Sequence, residues 1–331
     1  MSIIRTAILA VVAALLGAAD GERQTVRLLA IGNSFSADVL SQLPALAAAG
    51  GRTLEVQHCM FGGARLEQHW ARVEATDRDP ADAKALYGGK LSLRAAVKLQ
   101  PWDVVTLQQY SFISHDAATY RPHADRLVAL VRGGAPQAAI YLHQTWAYRC
   151  DDPRFVPLAR AQESEANQAE TAGAAGTPAE MRSAEDMHRM VAAAYRAVAK
   201  DLGLGLIPVG EAFARVAADP VWGFAPDPAW NPGAAVFPAL PEQAKSLHVG
   251  WYWKQKDGKP VAGKGGRIQP SYDGHHAGTA GDYLGACVWY AVLFRASPVG
   301  VPYAPEGLAP GQARFLQETA AAVVAAGQPA R

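Results

Sequence analysis

Residues 26–31 (VRLLAI) form a short, nearly unbroken apolar run that ends at Gly32, and this junction constrains the chain more than any other stretch. A run of that kind suits a strand covered on both faces, as in a parallel sheet. Gly32 permits a sharp reversal, and Asn33-Ser34 follow where the strand gives out. From Ser36 onward the period turns helical, with Val39, Leu40, Leu43 and Leu46 at three- and four-residue steps. Ser36 is placed to cap that helix, and Pro44 predicts a kink within it. Ser34 thus stands between the carboxyl end of a strand and the amino end of a helix. Open α/β sheets bind ligands there, and free backbone N–H groups stabilise developing negative charge. Ser34 is the candidate nucleophile.

The same alternation recurs. Apolar segments at 53–58, 102–108, 138–143 and 204–209 read as further strands. Helical patterns at 83–99 (interrupted by Gly88-Gly89), 120–131 (Pro122 in its first turn) and 187–202 lie between them. This predicts a doubly wound, flavodoxin-like, five-stranded parallel sheet flanked by helices, in one domain over 25–331. Two stretches break the rhythm. Residues 150–185 are polar and aperiodic, reading as a loop or lid. Residues 220–272 are rich in Pro, Gly and Trp, with a hairpin expected around Asp257-Gly258. The cations Lys254, Lys256, Lys259, Lys264 and Arg267 read as a solvated face. Helices at 279–294 and 312–325 complete the chain.

The amino terminus has the plan of a secretory signal over residues 1–19: Arg5, then the apolar run 7–16, then the small residues Gly17-Ala18-Ala19. The run is shorter than the roughly 20 residues a membrane span needs, so an exported protein, periplasmic or extracellular, is expected. A net charge of +1 gives no pointer to nucleic acid. Three cysteines, Cys59, Cys150 and Cys287, are too few for a disulfide framework and fit no zinc spacing, with one Cys59–Cys150 bridge open after export. His58, His69, His115, His143 and His188 are scattered, so no metal site and no cofactor are expected.

A serine nucleophile needs a base, and the base needs an orienting group. Asp273-Gly274-His275-His276 precedes the 279–294 helix and offers both. His276 has the favoured offset from Asp273, with His275 as competitor. The small residues Ala277, Gly278, Gly281 and Gly285 let that helix lie close to the sheet. Acyl chemistry also needs oxyanion donors: the N–H of Ser34, a glycine N–H at Gly62 or Gly63 after the second strand, and an amide at Gln108 or Gln109 after the third. An α/β-hydrolase would carry Gly-x-Ser-x-Gly deep in the chain, not Gly32-Asn33-Ser34-Phe35-Ser36 on its first strand. No phosphate-binding loop is present.

Gly-Asn-Ser at the first strand, glycine after the second, an amide after the third and Asp-x-x-His near the end resemble the four blocks of the SGNH (GDSL-like) hydrolases. The segments GNSFS, FGGARLEQHW, VVTLQQYS, QTWAY, IPVGEAF and DGHHAGTAGDYLGACVWYAVL resemble a bacterial branch of that superfamily. The resemblance implies Ser34 as nucleophile and first oxyanion donor, Gly63 as second, Asp273 as orienting acid and His276 as base. Gln109 is the choice for the third donor, in place of the usual asparagine, with Gln108 open. Asn33, Trp146 and Tyr148 are candidate substrate contacts. The implied activity is hydrolysis of short O-acyl esters, acetyl foremost, on carbohydrate, with no cofactor. A glycan-binding module with an idle site, its platforms among Trp70, Trp146, Tyr148, Trp222, Trp230, Trp251 and Trp253, is the alternative, as is a lipase or thioesterase. The sequence leaves the oligomeric state open.

Overall fold

The computed structural model describes residues 22–155, 181–263, 266–308 and 310–327. The expected signal segment and most of the 150–185 stretch lie outside these residues.

Strand β1 (Thr25–Gly32) lies inside the sheet, and Leu28, Leu29, Ala30 and Ile31 have no exposed surface, as a strand with two covered faces requires. It pairs in parallel with β2 (Thr53–Met60) on one side and β3 (Val104–Leu107) on the other. Strands β4 (Ala139–His143) and β5 (Gly205–Ile207) extend the sheet to the order β2-β1-β3-β4-β5, all parallel. The chain steps outward from β1 to β2 and then back past β1 to β3. Right-handed crossovers therefore place α1 (Ser34–Ala49) on one face, and α2 (Leu66–Arg78) and α3 (Leu93–Lys98) on the other. The reversal between β1 and β3 leaves a crevice at the carboxyl ends of these strands, where Ser34 stands.

Helix α4 (His123–Gly134) packs with α2 and α3, and α5 (Ala184–Leu202) leads into β5. Helices α6 (Val209–Ala217), α7 (Thr279–Phe294) and α8 (Pro310–Gly327) pack together, and α7 also lies along α1. Nearly every side chain of α7 is buried, which marks it as an interior helix. Its glycines permit the close approach. A Cβ at Gly285 would meet Val39 Cγ2 at 2.6 Å, and one at Gly281 would meet the Leu247 carbonyl at 2.1 Å. The residues just before α7 are thereby drawn to the carboxyl end of β1.

Those residues form strand structure rather than the loop expected. Strand β6 (His248–Tyr252) is followed by the short hairpin β7 (Gln255–Lys256) and β8 (Lys259–Pro260), and then by β9 (Ser271–Ala277). Strands β6 and β9 pair antiparallel, with an irregularity between His248 and Gly250. The β7–β8 turn is Asp257-Gly258, both residues at positive φ, as the two-residue hairpin demands.

Several local expectations are corrected. Asn33, not Ser36, caps α1, its Oδ1 accepting the Phe35 N–H at 3.1 Å. The 83–99 helix forms only at its end, because Gly88 and Gly89 take positive φ in a turn closed by Tyr87 and Leu91. Strand β5 stops at Ile207, and Pro208, which lacks an N–H, leads into α6. The Cys59–Cys150 bridge is absent: all three thiols are free, Cys59 and Cys287 buried and Cys150 exposed. Among the described residues no helix is long and apolar enough to cross a membrane.

Candidate active site

Ser34 is the first residue of α1 and is partly exposed at the end of β1. The turn that presents it is held from beneath by buried polar side chains. Gln108 Oε1 accepts the Asn33 N–H at 3.1 Å and the Ser36 hydroxyl at 3.0 Å. Gln108 Nε2 donates to Asn33 Oδ1 and to the Gln109 carbonyl, each at 2.8 Å. Gly32 has no room for a side chain, since a Cβ would meet Gln108 Oε1 and Ser36 Oγ at 2.8 Å. The Gly32 carbonyl can only accept, so His69 must donate from Nε2 (3.1 Å), leaving Nδ1 to accept from the Tyr87 hydroxyl at 2.6 Å. Ser36 spends its proton on Gln108, so His143 Nδ1 donates to Ser36 Oγ at 3.0 Å. Burial pushes both imidazoles down to about 3, keeping them neutral.

Strand β9 delivers the other half. His276 Nε2 lies 2.9 Å from Ser34 Oγ, and His276 Nδ1 lies 2.8 Å from Asp273 Oδ2. Asp273 Oδ1 accepts the backbone N–H groups of His275 and His276 at 3.1 and 3.0 Å. It also takes the His275 ring, whose Nδ1 is 2.9 Å away. Burial pushes the Asp273 carboxyl up, but the hydrogen bonds from both imidazoles and from the His276 N–H outweigh it and hold the group far below the usual carboxylate range. For His276, burial opposes protonation, and the hydrogen bond and charge of Asp273 with the charge of Asp38 override it, so its pKa is raised. The strand is braced by Trp146, whose Nε1 donates to the His275 carbonyl at 2.9 Å, and by the Arg149 N–H, which donates to the Gly274 carbonyl at 2.7 Å.

The structure thus brings Ser34, His276 and Asp273 into one hydrogen-bonded chain. Gly63 sits in the 61–64 turn after β2, exposed and at a φ of 63°. Asn33 Nδ2 donates to the Ala64 carbonyl at 2.9 Å, tying that turn to the turn that carries Ser34. Gln109 is corrected. Its Nε2 is committed to the Thr119 carbonyl at 2.9 Å, and its Oε1 to the N–H groups of Leu66 and Tyr110. It anchors neighbouring loops and offers no donor to the crevice. Gln108 does not supply one either, being fully buried beneath the turn. Asn33 and Trp146 are corrected as substrate contacts for the same reason. Both are buried, with polar atoms spent on Ala64 and His275 respectively, whereas Tyr148, its hydroxyl 3.1 Å from Ser111 Oγ, lines a cavity. The bracing by His69 and His143 was not foreseen, and two isolated histidines in the sequence carry no signal of it.

Asp273, His275 and His276 are the one group among the described residues whose potential metal-ligating atoms lie within 4.8 Å of one another. Both rings direct an N–H at the carboxylate, so the arrangement is a hydrogen-bonded one and not a set of lone pairs converging on a point. A cavity of about 540 Å³ is lined by Tyr148, Phe213, Val216, Phe224 and Leu247 among others, with none of Asp273, His275 and His276 on its wall.

A five-stranded parallel α/β sheet with Ser, His and Asp linked at its carboxyl edge defines the structural class. A family model described as "Domain of unknown function (DUF4886)" matches residues 27–166. A DUF4886 family protein from Bacteroides uniformis ATCC 8492 has a similar fold, at a TM-score of 0.62 and 22% identity over 92% of this chain and 97% of that one. Looser overlaps include a protein put forward as a GDSL-like lipase from Parabacteroides merdae ATCC 43184 (TM-score 0.36, 12% identity, 60% of this chain and 84% of that one). Another is a possible lipase from Chitinophaga pinensis DSM 2588 (TM-score 0.36, 12% identity, 81% and 97%). At those scores the two overlaps carry no argument about chemistry. No curated protein matches the chain significantly.

Proposed function

We propose that the chain is a serine hydrolase of SGNH type acting on ester bonds, and that it removes short acyl groups, acetyl foremost, from carbohydrate. The observation that carries this reading is the chain Ser34 Oγ–His276 Nε2, His276 Nδ1–Asp273 at 2.9 and 2.8 Å. Asp273 remains ionised, so His276 keeps its proton on Nδ1 and a lone pair on Nε2 facing the hydroxyl. In the proposed cycle His276 takes the Ser34 proton as Oγ bonds to the ester carbonyl carbon. The N–H groups of Ser34 and Gly63 hold the oxyanion. Collapse breaks the bond to the leaving alcohol, which receives the proton from His276. Water, deprotonated by the same base, then releases the acid and restores Ser34. The raised pKa of His276 suits the imidazolium formed in both halves.

The carbohydrate assignment is supported by the tryptophan-rich insertion, where half-buried Trp251 packs against Tyr272, the residue before Asp273, and half-buried Trp230 against Trp251. Export follows from the segment at 1–19. The test is twofold. A serine-directed phosphonate should label Ser34, and acetate should be released from a panel of acetylated polysaccharides. Ser34→Ala should abolish labelling, and both Ser34→Ala and His276→Ala should cost several orders of magnitude in kcat. An unlabelled, inactive wild-type protein that binds glycans would establish a binding module instead.

A further inference from the structure

Asp38 follows Ser34 by four residues on α1 and so lies one turn along the same face. Its Oδ2 accepts the N–H of Ala277, the residue after His276, at 3.2 Å. Across the α1–α7 contact stands Asp282, in the first turn of α7. Ser41 lies between them, with Oγ 2.6 Å from the Asp38 carbonyl and 3.4 Å from Asp282 Oδ2. Ser41 Oγ is the donor in both contacts, and its single proton is better placed for the carbonyl, which leaves Asp282 only a weak one. Asp282 Oδ1 is buried with no partner, an expensive position for half of a carboxylate.

We propose that Asp38 is a positioning residue for the hydrolysis described above. Its carboxylate ties the His276 strand to the helix that carries Ser34, and supplies the imidazolium with a second negative charge. This rests on the hydrolase reading. The groups facing Asp38 are His276 and Asp273 from β9 and Asp282 from α7. His276 faces Asp273 and Asp38, with Arg154 opposing its protonation. Burial raises Asp38 to about 6, so it is charged at neutral pH. Burial, reinforced by the charge of Asp38, raises Asp282 to about 8, so it is mostly neutral there. Two neighbouring carboxyls that share one net charge behave in this way.

The decisive measurement is an NMR titration of His276 in the full chain with labelled histidine, its signal assigned by its loss in His276→Gln. Asp38→Asn keeps an acceptor for the Ala277 N–H but removes the charge. It should lower the His276 midpoint by about half a pH unit or more, and move the acid limb of kcat/KM on an acetyl ester in the same direction. A His276 midpoint that stays in place in folded Asp38→Asn overturns the proposal. If that variant does not fold, the wild-type Asp38 side-chain carboxyl carbon decides. A midpoint near 6 supports the proposal, and one at the ordinary carboxylate value overturns it. Since the NMR titrations need no substrate, a protein that passes them yet hydrolyses nothing refutes the hydrolase reading alone.

Discussion

Gln108 is the side chain on which the geometry of the Ser34 turn most depends, and Gln108→Met tests that directly. Methionine keeps nearly the same length and volume but makes none of the four hydrogen bonds. Two of the partners keep another hydrogen bond. Ser36 Oγ retains His143, and Asn33 Oδ1 retains the Phe35 N–H. The Asn33 N–H has no other partner in the described structure and is sealed from water, which costs about 1–3 kcal/mol. Each of the remaining bonds contributes about 0.5–1.5 kcal/mol net, so the substitution should destabilise the protein by about 2.5–7.5 kcal/mol. At roughly 2 °C per kcal/mol for a chain of this size, the melting midpoint should fall by about 5 °C or more. The loss should be accompanied by slower phosphonate labelling of Ser34, because the N–H of residue 33 no longer fixes the reversal that aims the hydroxyl. Calorimetry and a labelling time course read the two effects separately. A Gln108→Met protein that melts with the wild type and labels at the wild-type rate would refute the assignment of Gln108 as the brace.

Two further outcomes follow from the same buried polar layer. His69 and His143 are held down to about 3 in the folded protein, whereas the unfolded chain protonates them near 6.5. The unfolded state therefore binds more protons between those values. Stability is fully present above about pH 6.5 and is lost as pH falls, by up to about 3 kcal/mol per pH unit for the two together. Urea melts at pH 8, 6 and 5 check this, and a midpoint that does not change between pH 7 and 5 contradicts it. Gln109→Ala should lower kcat less than about tenfold, since its amide faces Thr119, whereas loss of a true oxyanion donor costs about 10²–10³-fold. Single-turnover kinetics on an acetyl ester distinguish the two.

The fold was readable because the central strands of the sheet, β1 and β3, are buried on both faces and so show as apolar runs. Leu28 to Ile31 and Val104 to Leu107 are of this kind. The pairing of Ser34 with His276 was readable because a strand-end serine and an Asp-x-x-His carry their chemistry in their spacing. Helix α2 was not, since its buried face includes His69 and Thr76 beside Leu66 and Val73, and two polar residues dilute the period. Strand β9 was hidden likewise, its glycine and polar residues imitating a loop until β6 supplies a partner. The roles of Gln108 and Gln109 were not separable from the chain alone. Adjacent residues at a strand end point to opposite sides, and only neighbours distant in sequence, Ser36 for one and Thr119 for the other, decide their tasks. Trp146 shows a similar ambiguity. An indole serves a crevice or a brace equally well, and the His275 carbonyl claims this one.

Ser34 and His276 stand 242 positions apart, and they meet only because α7 lies against α1. During synthesis the hydroxyl therefore leaves the ribosome long before its partner exists. The parallel sheet can be complete through β5 while Ser34 still lacks its imidazole partner. The contact forms only when the final helices dock, so a truncated or stalled product carries the serine without His276 beside it.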